Sequence, residues 1–266
     1  MIDLSIATTM TNPEDRNDPW KEALNCYNQI ADELVVVGED WPYEFKFDHI
    51  GKTFHKGFDK CSGDWVLRMD LDYFIHEKDI PMIKEYLAKN MDSPAVAFRQ
   101  YQFFTPDRYH VKTKLCMALN KKMFPNIKLD GGGDLCQPTI NGKQILPTNV
   151  PNIPIPIWQY DSMFRTKEII AEDRARFARA WHRQFNTWGD RGGSEPDIAY
   201  AAWFKMIETK YKKHVLKTKI KHHPIYIQEK LMNLKVDQFG HDAFGLKAST
   251  RRSSKDYLKG YIERYS

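Results

Sequence analysis

Asp70 and Asp72 are carboxylates separated by one residue, placed where the apolar run Trp65-Val-Leu-Arg-Met69 gives way to a loop. Side chains at i and i+2 of an extended segment point to the same side, so the pair converges. At the end of a buried parallel strand they stand where such sheets bind ligands. Two convergent carboxylates can hold a Mg²⁺ or Mn²⁺ ion that also takes phosphate oxygens. Cysteine chemistry is not expected. Cys26, Cys61, Cys116 and Cys136 lie far apart with no C-x-x-C pair, which excludes a zinc ribbon and gives no disulfide framework.

The elements that must present Asp70 and Asp72 are those of an alternating α/β chain. Residues 2–8 read as a buried first strand, followed by a polar loop with a turn at Asn12-Pro13. Asp18-Pro19 predicts a helix start, with Asp18 as N-cap and Trp20, Leu24, Tyr27 and Ile30 at helical spacing. Glu33-Leu-Val-Val-Val-Gly38 is the clearest strand, and with the first it makes a parallel βαβ unit. A helix over 53–60, a strand over 64–69, a helix over 78–88 and a strand over 95–99 continue the pattern. From Gln100 the order loosens. Gly131-Gly-Gly133 reads as a loop, and the prolines from Pro147 to Pro156 exclude a helix or a central strand. A charged helix over 166–184 and another over 196–211, capped by Ser194, complete the chain before a basic segment around Arg251-Arg252-Ser-Ser-Lys255.

With 266 residues, 42% of them hydrophobic, the chain can bury a sizeable core and is not a disordered polymer. No apolar stretch is long enough to span a bilayer. The opening residues carry no basic n-region, so a secretory signal is not expected and a reducing cytoplasm is the expected location. A net charge of +5 suits an anionic partner without naming one.

Cys61-Ser-Gly-Asp-Trp-Val-Leu-Arg-Met-Asp70-Leu-Asp72 resembles the a-x-G-D-W-i-l-x-l-D-x-D segment of family-2-like glycosyltransferases with a GT-A fold. Ser5-Ile-Ala-Thr-Thr9, Asp32 to Asp40 and Gly51 to Phe58 are similar, in order, to the first strand, the second strand and the helix before that segment. Trp158-Gln-Tyr-Asp-Ser-Met-Phe-Arg165, ending in Arg179-Ala-Trp181-His182, resembles the H-Y-x-x-x-x-R block of one subgroup, and His223-Pro224 its later H-P pair. Gln159 stands where that subgroup carries His, which leaves a third metal ligand open among His182, His222, His223 and His241.

The resemblance implies a GT-A-like, Rossmann-type mixed sheet flanked by helices, with an irregular helical C-terminal half. Residues 1–240 would be one catalytic domain, 1–100 its nucleotide-sugar half and 101–240 its acceptor half, with 241–266 a basic tail or helix. Mn²⁺ or Mg²⁺ would sit on Asp70 and Asp72. Thr8 and Thr9 would contact the nucleotide, and Glu39 or Asp40 its ribose. Lys52, Arg165 and Lys167 are candidate phosphate partners. An inverting transfer needs a proton acceptor, for which Asp134 and Asp130 flank the glycine loop, with Glu195 and Asp197 as rivals.

The expected activity is metal-dependent sugar transfer from a nucleoside diphosphate to an acceptor hydroxyl, with a glycan as the expected acceptor. Two other readings remain open. One is a viral-type enzyme acting on modified DNA bases, permitted by Lys210, Lys212, Lys213, Lys217, Lys219 and Lys221. The other is a glycosyltransferase-like binding protein without turnover.

Overall fold

A computed structural model describes residues 2–206 and 215–234. The expected basic tail, His241, and Lys210, Lys212 and Lys213 lie outside the described residues. Strands β1 (Leu4–Thr9), β2 (Glu33–Val37) and β3 (Trp65–Met69) run parallel, with β1 between the other two. Helices α1 (Trp20–Asn28) and α2 (His49–Lys60) make the crossovers. β1 is buried nearly throughout, as a parallel strand covered on both faces must be. Side chains alternate between two cores. Leu4, Ile6, Trp65 and Leu67 join one apolar cluster, while Ala7 and Val66 join the other on the opposite face.

The sheet continues through β6 (Arg108–Asn120), β5 (Ala95–Thr105), β10 (Asn152–Gln159) and β4 (Tyr73–Phe74), giving a mixed sheet in the order β2-β1-β3-β6-β5-β10-β4. A short strand β11 (Val215–Lys217) pairs with β6. Strands β7 (Lys128–Gly131), β8 (Gln137–Ile140) and β9 (Lys143–Gln144) form a separate small sheet. Helices α3 (Ile80–Ala88), α4 (Lys167–Phe185), α5 (Pro196–Met206) and α6 (Ile225–Met232) complete the described residues. This is the GT-A-type arrangement of a mixed sheet flanked by helices.

Three expectations are corrected. Order does not loosen at Gln100: β5 and β6 form the longest hairpin in the sheet. Its alternation is broken by register shifts after Val96, Phe98 and Phe103, and by the buried polar residues Gln100, Gln102 and His110. The proline-rich stretch does enter the sheet, as β10. Its register on β5 shifts between Asn152 and Pro156, and β4 pairs only with Trp158 and Gln159, so Pro154 and Pro156 need no second ladder. Asp18 does not cap α1. Pro19 is the N-cap, no side chain caps the helix, and the Asp18 carboxylate is spent on arginines.

His223 ties the C-terminal segment to this sheet. Its Nε2 donates to the Pro106 carbonyl at 2.8 Å, which leaves Nδ1 to accept from the Tyr160 hydroxyl at 2.8 Å. The ring is fully buried, and burial pushes its pKa down to about 4, the Pro106 bond only partly opposing. The unfolded chain therefore binds this proton first as pH falls. Stability contributed by neutral His223 is full above its unfolded value of 6.5 and is lost progressively as pH drops toward 4. The loss amounts to about 3 kcal/mol at the low end. Urea unfolding between pH 4 and 7 should show this slope in the wild type and a flatter one in His223→Gln. Equal slopes would refute the assignment.

Candidate active site

Beyond the C-terminal ends of β1 and β3 lies a cavity of about 430 Å³. Its walls come from residues 9–177, from Thr9 at the end of β1 to Arg174 and Phe177 on α4. Asp70 and Asp72 sit here in a turn rather than on extended strand, since the Tyr73 N–H donates to the Asp70 carbonyl at 2.8 Å. Tyr27 of α1 holds the turn from below, its hydroxyl lying 2.5 Å from the Asp70 carbonyl and 2.9 Å from that of Tyr73. The Asp72 carbonyl accepts from the Tyr160 N–H at 2.9 Å. With their backbone oxygens engaged, both residues place their side chains on the cavity wall.

Burial raises the carboxyls of Asp70 and Asp72 above the usual range, Asp70 and Asp161 adding to the effect at Asp72 while Arg68 opposes it at Asp70. Neither carboxylate has an ion pair within 4 Å among the described residues. The longest-range support is the Gln159 amide, which donates to Asp72 Oδ2 at 3.5 Å. Two buried carboxyls at one turn, whose charged forms no nearby ion pair stabilises, fit a hard divalent cation that would take the place of their protons. No group of three or more His, Cys, Asp or Glu side chains suited to a metal occurs among the described residues. A cation held by Asp70 and Asp72 would complete its shell with ligand or water oxygens.

A second part of the wall is an ion-pair network. Arg165 donates from Nε to Asp18 at 3.0 Å and from Nη1 to Asp173 at 3.0 Å, and Arg16 reaches the same two carboxylates at 2.9 and 2.8 Å. Burial alone would raise the Asp173 carboxyl, but Arg16, Arg165, Arg174 and Arg176 outweigh it and hold it at about 2. Burial would likewise raise Asp161, yet Arg174 and Lys112 keep it below the usual range. The far end is aromatic, lined by Trp41, Phe47, Phe54 and Phe177. Arg68 lies over the Phe54 ring at 4.6 Å and donates to the Cys136 carbonyl at 3.1 Å.

Asp134 also lines the cavity, accepting from the Cys136 N–H at 3.3 Å and the Gln137 amide at 3.2 Å. Helix α2 presses directly on its loop. A Cβ on Gly51 would stand 1.9 Å from the Leu135 carbonyl oxygen and 2.3 Å from that of Leu129, so only glycine permits this approach.

The other expected residues are distributed unevenly. Thr9 and Arg165 line the cavity, while Thr8 is buried in β1 with its hydroxyl unpartnered. Asp130 accepts from the Thr139 hydroxyl at 2.6 Å, off the cavity. Glu39 and Asp40 are exposed beside it, Asp40 pairing with Lys56 at 3.2 Å, and their neighbour Trp41 reaches the wall instead. Lys52 points outward to Asp48 at 2.6 Å, and Lys167 lies over the Tyr200 ring. Glu195 and Asp197 stand at the start of α5, away from the wall. No late histidine of the described residues lines the cavity: His182 stacks on Trp188, His222 is exposed and His223 is in the core.

Sequence reading missed Arg68, Lys112, Asp161, Asp173 and Arg174. Arg68 carried a usable signal, a charge inside the apolar run of β3 two positions before Asp70. Lys112 carried none, because β6 itself was not foreseen.

The family model described as Glycosyl transferase family 2 matches residues 44–143. No curated protein matches the chain. Among solved structures, residues 1–349 of S. aureus TarS are 11% identical over 97% of this chain and 89% of that one, with a TM-score of 0.38. The same protein in complex with UDP gives 12% identity, the same coverage of each chain and a TM-score of 0.36. The family match spans α2, the Asp70–Asp72 turn and the Asp134 loop, the parts that build the cavity around the carboxylates. Residues 44–143 thus carry a Glycosyl transferase family 2 segment, set in a mixed sheet flanked by helices.

Proposed function

We propose that this glycosyltransferase moves a sugar from a nucleoside-diphosphate donor to an acceptor hydroxyl, with Mn²⁺ or Mg²⁺ held by Asp70 and Asp72. The observation that carries the reading is the pair of cavity-facing carboxylates with no ion-pair partner within 4 Å among the described residues. A bound divalent ion would supply positive charge to the diphosphate as it leaves.

The chain's own residues supply the rest. Thr9 and Trp41 flank the end of the cavity nearest β1 and β2, where the nucleoside fits. Asp134 is the proton acceptor. As the acceptor oxygen bonds to the anomeric carbon, the bond from that carbon to the phosphate oxygen breaks, and the hydroxyl proton passes to the Asp134 carboxylate. Asp130 has its carboxylate engaged by Thr139 and is the weaker choice. Attack opposite the leaving group inverts the anomeric centre.

A glycan hydroxyl is the acceptor in this reading. Residues 1–100 form its donor half and 101–240 its acceptor half, supported by a cavity that draws on both. No helix among the described residues is long and apolar enough to cross a membrane.

Calorimetry against UDP, GDP and CDP and their sugar conjugates, each with Mn²⁺ and with EDTA, tests the donor class. Metal-enhanced binding of one nucleotide is expected. Absence of binding to every nucleotide under both conditions would remove the nucleotide-sugar reading.

A further inference from the structure

We propose that Lys112 is a phosphate ligand of the donor, a cation built into the chain that meets the diphosphate beside Asp70 and Asp72. The proposal rests on the nucleotide-sugar reading and assigns one side chain to it. Lys112 projects from β6 onto the cavity wall and is half-buried. An ammonium has three donors. The hydrogen bond made here runs to the neutral Gln159 Oε1, at 3.2 Å. Among the described residues no carboxylate lies within 4 Å of it, although Asp161, Asp72 and Asp70 all face it from further away.

Three of the arginines on the wall are ion-paired. Arg16 and Arg165 grip Asp18 and Asp173, and Arg174 grips Asp161 at 3.0 Å. Arg68 donates to the Cys136 carbonyl and lies over the Phe54 ring, with its buried Nε left over, and Arg176 donates to the Tyr43 and Pro42 carbonyls. Lys112 differs from the ion-paired arginines in being a partly desolvated charge with donors to spare, and from Arg68 in being half-buried instead of buried. Desolvated charges are costly unless a partner of opposite sign arrives.

Gln159 sets where that partner fits. Its amide carbonyl takes Lys112, and its amide nitrogen points to Asp72 at 3.5 Å. The ammonium and the carboxylate are thereby held apart instead of closing into an ion pair. A diphosphate entering the gap meets Lys112 directly, while its approach to Asp70 and Asp72 needs the divalent ion. Lys112 accordingly gives the diphosphate a foothold that does not depend on metal.

The test is binding of UDP and GDP, with uridine and guanosine as phosphate-free controls, measured in EDTA and in Mn²⁺. In EDTA, Lys112→Met should weaken the better-bound diphosphate about 10- to 100-fold, the range of a charge-assisted bond. The loss should be smaller in Mn²⁺ and absent for the nucleosides. Lys112→Arg should stay within about tenfold of wild type. Lys114→Met, on the same strand but exposed, should change nothing. Thermal melting without ligand checks the fold, and Lys112→Gln replaces the Met variant if that one melts early. Diphosphate binding unchanged by loss of the Lys112 charge overturns the proposal and leaves the donor reading intact. Wild type that binds no diphosphate in either buffer overturns both.

Discussion

Asp72→Asn and Asp70→Asn should each cut glycosyl transfer by roughly 10³-fold, about 4 kcal/mol of transition-state stabilisation. In the proposed reaction, departure of a diphosphate would concentrate negative charge at this turn, and a neutral amide would hold a divalent ion far more weakly than a carboxylate. The fold should survive. Asparagine is close in shape to aspartate, the backbone carbonyls of the turn are held by the Tyr27 hydroxyl and the Tyr73 and Tyr160 N–H groups, and burial already disfavours the charged carboxylates. Melting temperatures of both variants should therefore match or exceed wild type in EDTA. Mn²⁺ should raise the melting temperature of wild type in the presence of nucleotide and leave the variants unmoved. Variants that turn over donor at the wild-type rate would refute the metal site. Variants that unfold would show a structural role for the pair.

Arg165→Met should have the largest effect on stability. The guanidinium contacts Asp18 through two nitrogens and Asp173 through a third, and all three residues are buried. Asp18 belongs to the loop after β1 and Asp173 to α4, so the arginine joins segments distant in the chain. Removing one member of a buried ion network strands the remaining charge, at a cost of about 3–5 kcal/mol. Total stability is roughly 5–15 kcal/mol, so this is a large share of it. The melting temperature should fall by roughly 10 °C. Asp18→Asn should rescue part of the loss, because it removes a carboxylate that Arg165→Met leaves unpaired. Arg16 still reaches both carboxylates, which sets the lower end of the range. Urea unfolding of the two single variants and the double variant measures the coupling. A loss below about 1 kcal/mol for Arg165→Met would refute the account, being no more than an exposed pair contributes.

These two expectations separate what each level of structure decides. The sequence by itself determined β1, β2, β3 and the helices between them, because short apolar runs and helical spacing are local signals. It also placed Asp70 and Asp72 at the end of β3, since the composition changes abruptly there. Along the chain Gly51 reads only as part of a helix, but its reason is an approach to carbonyls of residues 129 and 135.

The part of the sheet from β5 onward was decided by tertiary structure. β5 and β6 carry bulges and buried glutamines that break the two-residue period, and β10 accepts prolines only because pairing lapses beside them. The charges of the cavity were equally illegible. Arg165 read as a phosphate partner from a motif, yet it is committed to Asp18, 147 positions away. Lys52 read the same way and turns outward, whereas Lys112, on an unforeseen strand, faces the carboxylates. Local patterns fix which residues are apolar and how they repeat. Which charges meet depends on the packing of distant segments, because an ion pair requires only that two side chains be close in space.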